Sequence, residues 1–272
     1  MNLALFKLEF RRSLKGFLIW SFSLGLTLFL VVMIYPVVQD MMDALDDMLA
    51  YLESIDSSFV GFLETFGGIP ENGIEYFATE GALFLQLLGG IYAAILGFNI
   101  IQKDEKEETV EVLHVLPLSR SIILLTKMMH VLITILLFTF IQIGFVHLGF
   151  LFVSPNESMI ELWTFGFFDF IMFLMISYLA MGLALLLKPK TSPLVSIAIP
   201  FPLYIITMIA FATDNDTLKT LKYLSPFTFT EPVGWLKDHV DFEWLNFYIF
   251  IGLTMIVIIL SFVFYKKREM IK

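Results

Sequence analysis

The 272-residue chain is 58% hydrophobic and 16% aromatic but only 16% charged, which excludes a soluble domain, because one core cannot hide that much apolar surface. Its formal net charge of −9 gives no electrostatic attraction for nucleic acid, and the absence of cysteine excludes disulfides and thiolate metal sites. What remains is an all-α polytopic membrane protein, read as a single transmembrane domain over 1–272.

A spanning helix needs about 20 mostly apolar residues, since about 30 Å of hydrocarbon is crossed at about 1.5 Å per residue with every backbone group paired internally. In chain order, residues 1–16 (MNLALFKLEFRRSLKG) read as an amphipathic interfacial helix, with Leu3, Phe6, Phe10 and Leu14 on an apolar face and basic residues near the headgroups. A positive anchor with no further role is the other reading. The first span, Phe17 to Tyr35, is too long for a signal-peptide core, and no small-residue cleavage pattern follows it. Within 37–81, Val38, Met41, Leu45, Met48, Leu52, Ile55, Phe59, Phe62 and Phe66 recur in steps of three and four, which predicts a helix with one apolar face. That helix either pairs across a dimer or covers an exit path, or it folds back on the protein's own outer surface. Gly67, Gly68 and Pro70 then turn the chain toward the second span, Ala82 to Ile101. Gly89, Ala93 and Gly97 sit at every fourth position of this span and suit close helix packing within the subunit.

Residues 103–120 carry their charges in the first half, while Val110, Leu113, Val115 and Leu116 offer an apolar strip. Pro117 ends this short helix, and Ser119 is placed to cap the third span, which lies within Ile122 to Val153. The fourth span is Leu162 to Leu187. The fifth, Leu194 to Ala212, should kink or break because Pro193, Pro200 and Pro202 each remove a backbone donor. Residues 213–244 precede the sixth span, Leu245 to Tyr265.

Lys and Arg concentrate on the cytoplasmic side of membrane proteins. With the N-terminus inside, only Lys219, Lys222 and Lys237 of the 17 basic residues fall outside, and segment 37–81 has no basic residue but ten acidic ones. Six spans with both termini cytoplasmic follow. This orientation puts 37–81 and 213–244 outside and 103–120 inside.

The stretch DEKEETVEVLHVLPLSRSIILLTKM resembles the signature after the second span of type-2 ABC transporter permeases: an acidic run, a Thr-x-Glu-x-Leu pattern, a Leu-Pro-x-Ser-Arg turn and a following Lys. Thr109, Glu111, Leu113, Pro117, Ser119, Arg120 and Lys127 occupy those positions, while Glu108 stands where the family carries Gly. A second stretch, LKYLSPFTFTEPVGWL (221–236), resembles the Leu-Ser-Pro-Phe segment before the last span of these permeases. The resemblance implies the membrane subunit of a bacterial cell-membrane ABC exporter, working as a homo- or heterodimer with a separate ATPase subunit that binds ATP and Mg. It also implies that 103–120 is the coupling helix, with Glu108, Thr109, Glu111, Val112, Leu113, Leu116, Pro117 and Arg120 as the ATPase-coupling residues. In agreement, the chain contains no G-x-x-x-x-G-K-[ST] phosphate loop, so it has no nucleotide cofactor or ATPase activity of its own.

Asp169, in the fourth span, is the candidate substrate-path or gating residue, because a carboxylate there is costly unless it faces protein, water or a cation. Satisfaction by neighbouring hydroxyls or headgroup water is the alternative. No H-E-x-x-H occurs and the four His are scattered, so neither a metalloprotease nor a metal centre is expected. A membrane immunity or sensor protein that sequesters a peptide without ATP is the noncatalytic alternative.

Overall fold

The computed structural model describes residues 2–55, 70, 72–106, 118–155, 158–213, 215–237 and 239–267. All regular structure among the described residues is helical, and six stretches are long and apolar enough to cross a membrane: Leu3–Met41, Gly73–Asp104, Arg120–Val153, Ile160–Leu186, Pro193–Phe211 and Trp244–Lys267. These correspond in order to the six spans expected from the sequence.

Helix α1 (Leu3–Ile55) is longer than any single expected element. It runs through Gly16 without a break, so residues 1–16 are not set apart from the first span as a separate segment. It also continues past Pro36 into the periodic run that begins at Val38. At about 1.5 Å per residue its 39-residue apolar stretch is about 58 Å long, nearly twice the hydrocarbon thickness.

The second span begins with α2 (Gly73–Tyr76), passes through a π-helical turn at Phe77–Gly81 and continues as α3 (Ala82–Lys106). Asn72 caps its start by accepting from Glu75 N. The third span is α4 (Arg120–Val153), and Ser119 caps it as expected, accepting from Ile122 N. The fourth is α5 (Ile160–Leu186). The prolines break the fifth span into a 3₁₀ turn (Pro193–Ala198) and α6 (Pro200–Phe211), with Pro at the start of each piece, where its missing N–H costs nothing.

Residues 216–236 form short turns: α7 (Asp216–Lys219), 3₁₀ turns at Thr220–Leu224 and Pro226–Thr230, and α8 (Pro232–Leu236). Pro226 to Thr230 are all buried, so the Leu-Ser-Pro-Phe stretch folds back into the bundle. The Asn246 amide, on the last span α9 (Trp244–Lys267), donates to Lys222 O at 2.9 Å and Ser225 O at 3.0 Å and holds it there.

Two seams dominate the packing, α1 on α4 and α3 on α5. The small-residue row explains the second. Gly89 lies under the Phe173 ring, Ala93 O accepts from the Ser177 hydroxyl at 2.9 Å, and Gly97 meets the Ser177 backbone. A Cβ on Gly97 would collide with Ser177 O, whereas one on Gly144 would meet nothing within 4 Å. Gly97→Ala should therefore lower stability by about 1–3 kcal/mol through overpacking. Gly144→Ala should cause no loss, and thermal unfolding of the detergent-solubilised variants checks the contrast.

Candidate functional site

Among the described residues, two polar clusters inside the bundle stand out. The first joins the N-terminal end of α1 to the facing ends of α3 and α4. Lys127, two turns into α4, is 1% exposed and Glu9 is 2% exposed. The Lys127 ammonium donates to Glu9 Oε1 at 2.8 Å and to Ile100 O at 2.6 Å, and lies 2.6 Å from Asp104 Oδ2. Asp104 also accepts from Arg12 Nη1 at 3.0 Å, and Lys103 donates to Arg12 O at 3.1 Å. Lys127 and Arg12 thus balance Glu9 and Asp104. An ammonium taken from water costs several kcal/mol unless charge and hydrogen bonds replace its hydration, and here two carboxylates and a carbonyl do so.

This pairing sets the orientation of the N-terminal helix. The face turned inward carries Leu5, Glu9 and Phe17, while Leu3, placed on the apolar face in the sequence analysis, is 68% exposed. Phe6 and Phe10 do reach the protein, edge-on to the His130 ring of α4, whose Nε2 lies 3.1 Å from the Ser13 hydroxyl.

Of the expected coupling residues, Arg120 is described. It begins α4 and donates from Nη1 to Lys266 O at 2.7 Å, tying the start of the third span to the end of the sixth. Glu108, Thr109, Glu111, Val112, Leu113, Leu116 and Pro117 lie outside the described residues. Asp104 and Arg120 nevertheless bracket that segment, and Asp104 belongs to the buried cluster. Sequence reading singled out Lys127 but missed Glu9 and Asp104 as its partners and Arg12 as the second cation on Asp104. The available signal was a Glu on the same helical face as Leu5.

The second cluster is at the opposite end of the bundle. Asp169 on α5 is fully buried and accepts from Gln86 Nε2 of α3 at 3.1 Å. The same nitrogen donates to Thr230 O, at short range, and to Thr230 Oγ1 at 3.0 Å. The Thr230 hydroxyl in turn donates to the Met172 sulfur at 3.2 Å. Asp169 Oδ2 has no hydrogen-bond partner among the described residues. Asp169 accepts from the Gln86 amide at one oxygen, with the Thr230 hydroxyl beside it. Beside it, Phe168 packs on Trp235 and Phe242, and Phe229 packs on Phe242 and Phe247. Nearby, outside the spans, Lys222 donates to Glu243 at 2.6 Å, and this hydrogen bond raises the Lys222 pKa above its ordinary value.

Six apolar helices, a buried charge cluster at one end and a folded-in segment at the other define a multi-pass membrane protein with specific polar contacts between its spans. The chain belongs to a family of transport proteins: residues 3–270 match the family model described as "ABC-2 family transporter protein". No curated protein and no solved structure gives a significant match. Membership of this family makes the chain a membrane transport component.

Removing Lys127 tests whether its charge cluster carries the packing. Lys127→Met leaves Glu9 and Asp104 with one excess buried negative charge and should cost about 3–5 kcal/mol. Adding Glu9→Gln restores neutrality and should recover much of that loss. Thermal unfolding of the single and double variants in detergent measures both steps.

Proposed function

We propose that the chain is the permease subunit of a bacterial ABC exporter in the cell membrane, with both termini cytoplasmic, working as a dimer with a separate ATPase that holds ATP and Mg. Residues 103–120 form the coupling helix, in which Val112, Leu113 and Leu116 seat in the ATPase and Glu108 and Glu111 meet basic groups at its rim. The observation that carries this reading is the inner cluster. Asp104, just before the coupling segment, and Lys127, just after it, are bonded to each other and each to α1, Lys127 to Glu9 and Asp104 to Arg12. Arg120 extends the same connection to the end of α9. A push on residues 107–117 would then be delivered to four spans at once through short polar contacts, which is what coupling to a distant substrate path requires. The distribution of basic residues and the family match support the orientation and the partner.

Apolar anchors carry most interface energy, whereas rim charges contribute little individually. Leu113→Asp should therefore release the ATPase or uncouple hydrolysis from transport by about tenfold or more, while Glu111→Gln should have a smaller, salt-dependent effect. Both variants must reach the membrane at parental levels. A well-inserted Leu113→Asp protein that binds its ATPase and transports normally would refute the coupling role. Because the chain has no cysteine, single cysteines also report sidedness cleanly. Ser57→Cys should react with an impermeant thiol reagent applied to intact cells and Ser119→Cys should not; the reverse pattern would overturn the orientation.

A further inference from the structure

The polar cluster around Asp169 has a mismatch between donors and acceptors. Three oxygens converge on Gln86 Nε2: Asp169 Oδ1 at 3.1 Å, Thr230 Oγ1 at 3.0 Å and Thr230 O at short range. A primary amide carries two hydrogens, so one acceptor is in excess whichever way the group turns. A fourth oxygen, Asp169 Oδ2, is fully buried and has no hydrogen-bond partner among the described residues. The site is thus rich in oxygen and short of positive charge. A buried carboxylate without a countercharge costs several kcal/mol, and here only the partial charges of the Gln86 amide and the Thr230 hydroxyl face it.

We propose that Asp169 and Thr230 form a binding site for a monovalent cationic group, whose position the Gln86 amide nitrogen fills in this structure.

The donor set fits that chemistry. A carboxylate, a hydroxyl and a main-chain carbonyl are hard oxygen ligands, and Thr230 O comes from the last residue of the 3₁₀ turn Pro226–Thr230, where carbonyls lack onward helical partners. Within membranes such irregular backbone is tolerated where it coordinates ions. A single carboxylate balances one positive charge, and no group of three or more His, Cys, Asp or Glu occurs among the described residues, so a divalent metal is disfavoured. Rotation of Gln86 about its flexible side chain would withdraw the nitrogen and open a position bounded by the Asp169 and Thr230 oxygens. Because these residues lie on α3, α5 and the folded-in segment, occupation by a cation would draw those three elements together without the amide. The cationic group is either a free alkali ion or the primary ammonium of a transported molecule, since both present one positive charge to the same oxygens.

The site can be tested on the permease alone, in zwitterionic nanodiscs without ATPase, so the result does not depend on the coupling reading. Binding of radiolabelled Na⁺ is measured in choline chloride at constant ionic strength, choline having no N–H to donate. Binding of n-hexylammonium is followed by the saturable rise in Tm. Saturable Na⁺ binding identifies an alkali-ion site, and saturable stabilisation by hexylammonium without Na⁺ binding identifies an ammonium site. In either case Asp169→Asn should weaken binding by about tenfold or more, since the amide keeps the shape and removes the charge, while Gln86→Ala should tighten it severalfold by removing the competing nitrogen. A purely structural carboxylate would not give that opposite sign. If Asp169→Asn does not fold, Gln86→Ala decides the matter, because it leaves the carboxylate intact. Absence of saturable binding by both cations, parental binding in Asp169→Asn, or unchanged or weakened binding in Gln86→Ala would overturn the proposal.

Discussion

A lysine ammonium buried inside a membrane helix bundle has to be surrounded by countercharge, and Lys127 imposes that constraint on everything near it. Its partners come from two other helices, Glu9 from α1 and Ile100 O and Asp104 from α3, while Lys127 itself stands on α4. None can be displaced alone without stranding a charge, so the three helix ends are held in one arrangement. The same condition explains why α1 runs unbroken through its basic N-terminal stretch. Glu9 has a buried partner and Arg12 follows it onto Asp104, which turns this part of the helix toward the protein. Asp104 and Arg120, on either side of 107–117, are each tied to a neighbouring span.

The other end of the bundle is organised differently. There the fifth span is broken by prolines, and the chain after it folds Pro226 to Thr230 into the interior. Contacts inside the bundle there are made by amides, hydroxyls, the Asp169 carboxylate and aromatic rings, and the Lys222–Glu243 ion pair lies outside the spans. Thr207 donates to the Ser225 hydroxyl at 2.7 Å, Asn246 holds the Ser225 carbonyl, and Gln86 bridges Asp169 and Thr230. Hydrogen bonds between neutral groups are individually weaker than buried ion pairs are to break, so this end is the softer of the two. A bundle fixed at one end and more easily rearranged at the other suits a protein that must pass motion along its spans.

Much of the architecture was legible in the sequence because its causes are local. Apolar runs long enough to cross hydrocarbon marked all six spans, Ser119 announced the start of the third, and prolines marked the break in the fifth. The Gly89, Ala93 and Gly97 row correctly indicated a close seam within the subunit, since only small residues admit another helix backbone at that distance. The inward face of the N-terminal helix was not legible. Apolar periodicity pointed to Leu3, but a long-range ion pair turned Leu5 and Glu9 inward. Asp169 stood out as an intramembrane carboxylate, whereas its connection through Gln86 to Thr230 spans 144 residues and has no local signature. Apart from Arg120, the proposed coupling residues rest on resemblance and on apolar spacing, because they fall outside the described residues.

Position-specific photo-crosslinking tests the coupling assignment most directly. A photoreactive amino acid is placed at Leu113 or, as a control, at Ser57, in a permease co-expressed with its ATPase in intact cells. Irradiation at Leu113 should yield an adduct whose mass corresponds to one permease plus one ATPase subunit, and irradiation at Ser57 should yield none. No ATPase adduct from Leu113, or equal capture from Ser57, would contradict the assignment of 103–120 as the element that meets the motor.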